Sequence, residues 1–196
     1  MCRAVNIIFD VSGSLSVDGK DSIQVNLLMT IISAMQKPMY SNSSIEIYLL
    51  EWADEVYEIN PDEVYAEYVS NCMKFGGKAD IEKLIQYIKA VGDNNRFLII
   101  SDGLFSNSDM IPLRNVVNGK KVVVVAIGAD ANCDILSNIA NPNHICYQAE
   151  DILSALYDVC FKPDIVREVE QKNTRRDRRR SGLGFDAGRR RARHEV

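Results

Sequence analysis

Apolar and polar positions alternate along this chain in two periods, and the alternation between them predicts the architecture. Apolar runs occur at Ala4–Phe9, interrupted by Asn6, and without a break at Phe97–Ile100 and Val122–Ile127, which suits strands buried on both faces of a parallel sheet. Helical periodicity fills the intervals. Ile23, Leu27, Ile31 and Met35 recur every four residues in a stripe that closes near Pro38. A stripe of Leu84, Ile85, Ile88 and Val91 opens after a capping Asp80 and ends at Gly92. Ile45–Leu50 and Val56–Ile59 flank a short turn at Ala53-Asp54 and predict a hairpin. Asn60-Pro61 predicts the start of a helix reaching about Met73, with Val64 and Tyr68 inward. Further helices are predicted around Met110–Val117, Cys133–Ala140 and Asp151–Phe161, with a short strand at Ile145–Tyr147. Strands alternating with helices specify an α/β class: a doubly wound, mostly parallel central sheet with one antiparallel edge strand, in three layers.

Two of the apolar runs end on carboxylates. After Phe9 comes Asp10-Val11-Ser12-Gly13-Ser14, in which the three oxygen-bearing residues alternate with Val and Gly and can aim one way. A carboxylate at the end of a buried strand needs a cation or a set of donors. An all-oxygen cluster is what Mg²⁺, Mn²⁺ or Ca²⁺ prefers. The pentapeptide alone reads equally as a polar turn with a serine helix cap. The second run repeats the design as Ser101-Asp102-Gly103, the glycine permitting a sharp turn. In an open α/β sheet, ends of like polarity lie side by side and ligands bind at that edge, so Asp10 and Asp102 are expected to face one another.

Asp-x-Ser-x-Ser followed about ninety residues later by Ser-Asp-Gly resembles the von Willebrand factor type A domain with its metal-ion-dependent adhesion site. The resemblance spans residues 3 to 161. It implies that Asp10, Ser12 and Ser14 are metal ligands, that Asp102 is the outer carboxylate reached through water, and that a partner's carboxylate completes the coordination. The family's remaining ligand, a Thr in a Gly-Gly-Thr loop, is missing from Phe75-Gly76-Gly77-Lys78-Ala79-Asp80-Ile81. Counted from the glycines, Lys78 stands in its place; counted back from Asp80, Ala79 does. Lys78 either places an ammonium among the carboxylates as a built-in counter-charge or turns out to solvent. Gly77, Lys78, Ala79 and Gly103 form the expected rim. The flavour is nearest to small bacterial cytoplasmic members associated with tellurium resistance and stress response.

Composition narrows the alternatives. At 196 residues the chain is long enough for one well-buried core and too short for two. No run of eighteen apolar residues occurs, and no charged leader precedes an apolar stretch, so a cytoplasmic domain is expected. Cys2, Cys72, Cys133, Cys146 and Cys160 are scattered, odd in number and without a Cys-x-x-Cys pair, which predicts reduced thiols. His144 and His194 are the only histidines, so a His-based zinc site or a Ser-His-Asp triad has little to draw on.

Charge divides the chain. From Gln171 onward ten Lys or Arg stand against three acidic residues, a net of +7, leaving −11 for the rest of a chain whose total is −4. The division predicts a globular domain at 1–163 and a basic, disordered tail at 164–196. Arg175, Arg176, Arg178, Arg179 and Arg180 would bind an acidic partner protein or nucleic acid, or lie against the acidic domain. The leading functional expectation is a non-enzymatic adaptor that docks another protein through a divalent cation, without membrane contact. Two alternatives are a metal-free scaffold with Lys78 replacing the cation and a Mg²⁺-dependent phosphoryl-transfer or receiver-like protein. The latter lacks a phosphate loop, because Gly76-Gly77-Lys78-Ala79 has no hydroxyl after its lysine.

Overall fold

A computed structural model describes residues 3–60 and 73–163. The chain runs β1 (Arg3–Asp10), a 3₁₀ turn (Gly13–Ser16), α1 (Lys20–Met35), α2 (Pro38–Ser41), β2 (Ile45–Trp52) and β3 (Val56–Glu58). It continues through α3 (Ile81–Val91), β4 (Asn95–Ser101), α4 (Asn107–Val117), β5 (Val122–Ala126), α5 (Cys133–Ile139), β6 (Cys146–Gln148) and α6 (Ile152–Phe161). The helix expected between Pro61 and Met73 falls almost wholly outside the described residues, as do the basic tail and Cys2 and Cys72.

Six strands form one sheet in the order β3-β2-β1-β4-β5-β6. All neighbours pair in parallel except β2 and β3, the predicted hairpin. The interior strand β5 is apolar and buried along its whole length because both of its faces are covered, whereas β2 and β3 toward the hairpin edge carry exposed residues. Ile7 and Phe9 pack with Leu28, Ile31, Leu156 and Val159 on the face carrying α1 and α6. Their neighbour Ile8 points the other way and packs with Leu84, Ile88, Leu113 and Leu136, from α3, α4 and α5. The result is the three-layer architecture expected from the pattern.

Local chemistry fixes the element ends. Asp80 caps α3 by accepting from the backbone N–H groups of Glu82 and Lys83, and Gly92 ends it at φ +86°. Trp52 is fully buried where the hairpin meets α3, its Nε1–H donating 2.8 Å to the Asp80 carbonyl. Arg96 donates to the Val159 and Cys160 carbonyls at 2.8 and 2.9 Å, placing a cation at the C-terminus of α6. Asp158 on α6 pairs with buried Lys121 at 2.8 Å and with Lys162 at 3.0 Å, and accepts from Tyr147 at 2.8 Å. Burial opposes the Asp158 anion, but Lys121, Lys162 and Tyr147 together hold it below the ordinary aspartate value. Among the described residues no helix is long and apolar enough to cross a membrane.

Candidate functional site

Asp10 is the last residue of β1, and the register sets Phe9 opposite Ile100 of β4, so the turns after the two strands leave the sheet together. Asp10 is completely buried, with Oδ1 accepting from the Ser12 N–H at 3.0 Å and Oδ2 from the Ser101 hydroxyl at 2.6 Å. Ser101 in turn accepts from the Gly103 N–H at 3.0 Å, which ties the second turn to the first. The Ser12 and Ser14 hydroxyls lie 3.3 Å apart, as the alternating spacing predicts.

Asp102 is 1 % exposed. Its Oδ1 accepts from the Leu104 N–H at 3.1 Å, and its backbone carbonyl accepts from the Asn132 N–H at 2.8 Å. Gly103 adopts φ +69°, and a Cβ there would stand 2.9 Å from Leu136 Cγ and 3.0 Å from the Asn132 carbonyl, so the turn requires glycine. The structure therefore brings Asp10, Ser12, Ser14 and Asp102 to one edge of the sheet.

The Gly76-Gly77 loop is laced to the first turn. The Gly13 N–H donates to the Gly77 carbonyl at 3.1 Å and the Gly76 N–H to the Val11 carbonyl at 2.8 Å. Gly77, at φ +71°, packs so closely on Asp54 that a side chain there would collide with its carboxylate. The Lys78 N–H donates to Asp54 Oδ1 at 3.0 Å, and the Lys78 residue is exposed. Ala79 packs on the core beneath α3. Of the two alternatives for Lys78, the exposed position matches the solvent-facing one and not the metal-free scaffold with Lys78 in the cation's place.

The counter-charge comes instead from Lys20, the first residue of α1. It is only 2 % exposed and reaches Asp102 Oδ2 at 3.1 Å and Asp130 Oδ2 at 2.8 Å. Burial works against its charge, but Asp130 and Asp102 hold its affinity for a proton above the ordinary lysine value. The bond from Lys20 in turn holds the Asp130 carboxyl below the ordinary aspartate pKa, so that ion pair stays charged. Gln24, one turn along the same face, donates its side-chain amide to the Asp10 carbonyl, while its Oε1 is buried without a partner. A lysine in the first turn of a helix, where the dipole disfavours cations, was the available sequence signal for a nearby carboxylate.

Asp10 differs from Asp102 in having no ion-pair partner among the described residues. Burial pushes its carboxyl up to about 6, against the bonds from Ser101 and Ser12, with the Asp102 charge adding to the rise. The Ser12 N–H and the Ser101 hydroxyl leave lone pairs of the carboxylate for a cation. Hard oxygen donors around a carboxylate that lacks a counter-ion fit a divalent cation. No group of three or more His, Cys, Asp or Glu suited to a metal occurs among the described residues, so this candidate rests on hydroxyls and two carboxylates. The cavity of about 380 Å³ between α4 and α5, lined by Arg114, Asn118, Asn141 and His144, contains none of these residues.

Comparison with protein-family profiles gives no match, and comparison with curated proteins gives none either. Solved structures do match. An aerotolerance-related membrane protein from Bacteroides fragilis aligns over 80 % of this chain and 96 % of its own, at TM-score 0.54 and 14 % identity. The ArnB paralog VWA2 from Sulfolobus acidocaldarius aligns over 78 % of this chain at TM-score 0.55 and 10 % identity. Proximal thread matrix protein 1 from the mussel byssus, with a zinc-occupied MIDAS motif, aligns over 81 % at TM-score 0.51 and 13 % identity. The chain spans 43 % and 45 % of the latter two chains. With six strands in a mostly parallel sheet, one antiparallel edge strand and helices on both faces, the chain has the von Willebrand factor type A fold.

Proposed function

We propose that this protein is a non-enzymatic interaction module that docks a carboxylate of another protein through a divalent cation held by Asp10, Ser12 and Ser14, with Asp102 behind them. The observation that carries the reading is Asp10, buried completely, lacking an ion-pair partner among the described residues, and flanked by two hydroxyls. Mg²⁺ or Mn²⁺ suits that donor set, and a bound cation would supply the charge that burial denies to the carboxylate. The zinc-occupied MIDAS motif of the mussel protein supports divalent-cation chemistry on this fold. Water takes the place of the missing Thr oxygen, since Mg²⁺ keeps several waters.

The partner is a protein presenting an Asp or Glu side chain beside apolar surface. Val17 and Leu104, each about half exposed, project from the two turns that carry the ligands. The module serves as an adaptor in a cytoplasmic assembly, a setting that suits the free thiols of Cys133, Cys146 and Cys160. A cation bound only by the folded state raises the melting temperature. Millimolar Mn²⁺ or Mg²⁺ is expected to stabilise the wild type and to lose that effect in Asp10→Ala. Equal responses from the two proteins would refute the reading.

A further inference from the structure

The ammonium of Lys20 sits behind Asp102, on the opposite oxygen from the Leu104 N–H. It is built into the fold. Its stem lies against Gly128, where a Cβ would come within 2.6 Å of Lys20 Cε, so only glycine at φ +92° leaves room for it. Its two partners differ in kind: Asp102 is buried, whereas the Asp130 side chain is 54 % exposed. One cation is thus shared between a carboxylate inside the candidate metal site and one at its margin.

We propose that Lys20 is a tethered counter-ion that competes with the divalent cation for Asp102 and sets the site's metal affinity low in the free protein. The proposal rests on the metal-site reading above. Without a divalent cation, Lys20 neutralises Asp102 and keeps its buried charge compensated. When a divalent cation draws on Asp102, the ammonium retains Asp130, which faces solvent and holds it nearby. Repulsion between the ammonium and the incoming cation opposes binding, so occupancy depends on negative charge added from outside, which a partner's carboxylate supplies. A site occupied chiefly when a partner is present is the consequence.

The test is a calorimetric titration of Mg²⁺ and of Mn²⁺ into the full chain, wild type and Lys20→Met. Methionine keeps the length of the stem and removes the charge. Lys20→Met is expected to melt lower in chelator and to bind the cation about tenfold tighter or more. Equal or weaker binding by Lys20→Met, with binding intact in the wild type, overturns the counter-ion proposal and leaves the metal site standing. Binding to neither protein overturns both. Should Lys20→Met fail to fold, the ¹⁵Nζ resonance of Lys20 in the wild type decides: it is expected to shift on saturation with Mg²⁺. An unmoved resonance in a protein that binds the metal overturns the proposal.

Discussion

Asp10→Asn is expected to stabilise the protein when no metal is present. Asp10 is completely buried, and its carboxyl is raised from 3.8 to about 6, chiefly by burial. Each pH unit of that gap is worth about 1.4 kcal/mol, so ionising Asp10 costs the fold on the order of 3 kcal/mol. The sign follows from proton binding. Between pH 4 and 6 the folded state holds a proton that the unfolded state has released, so this group makes stability fall as pH rises, with the loss complete above pH 6. Asparagine keeps the shape and removes the charge. Its oxygen can accept from the Ser12 N–H, and its amide can donate to Ser101. Reorganisation around the amide will take back part of the gain, leaving about 1–3 kcal/mol at pH 7.5, or roughly 3–9 °C in melting temperature for a domain of this size. The assay is urea unfolding and thermal melting of both proteins in EDTA at several values between pH 4.5 and 8. The advantage of the variant should grow with pH and level off above pH 6. A variant no more stable than wild type at pH 7.5, or a difference that ignores pH, would refute the reasoning.

Other perturbations probe the frame around the site. Asp158→Asn should cost about 3–5 kcal/mol, because it removes the carboxylate that neutralises the buried Lys121 ammonium; since the carboxyl of Asp158 is held low, its contribution is present above pH 4 and fades as acid approaches the folded-state value, as acid melts of wild type and variant will show. Gly103→Ala should destabilise by about 1–3 kcal/mol through its φ of +69° and the crowding of Leu136, and should weaken Mn²⁺ binding by displacing Asp102. Removal of residues 164–196 deletes the basic run Arg175–Arg180, so any retention on heparin should be lost in the truncated chain and in the full chain should fall steeply with salt.

The strands and the two motifs were legible because their signals are local. Val122–Ala126 can only be a strand buried on both faces, Asp10 follows an apolar run directly, and Asp102 follows another after Ser101. Lys20 was marked only by its place in a first helical turn and not by the apolar pattern, and the reason lies in α1. The four-residue stripe of Ile23, Leu27, Ile31 and Met35 suggested an apolar inward face. The buried set is Lys20, Gln24, Leu27, Leu28, Ile31, Ile32 and Ala34, a face turned slightly so that its first turns are polar. Those polar residues face inward because the site lies there: Gln24 binds the Asp10 carbonyl and Lys20 bridges two carboxylates. Hydrophobic periodicity measures only burial against the core, so a helix face that lines a polar site reads as solvent-facing. For Lys78 the sequence left two directions open, toward the carboxylates or toward solvent. Its backbone N–H is tied to Asp54, a residue on the hairpin more than twenty positions earlier, a contact that no local pattern shows.

The central claim is that a divalent cation binds at Asp10, Ser12 and Ser14. Anomalous diffraction from crystals of the protein soaked in Mn²⁺ tests it most directly. The account predicts a single strong anomalous peak within about 2.1–2.3 Å of an Asp10 carboxylate oxygen and both serine hydroxyls, with no contact to Lys78. The absence of a peak there at saturating Mn²⁺, or a peak elsewhere on the chain alone, would contradict it.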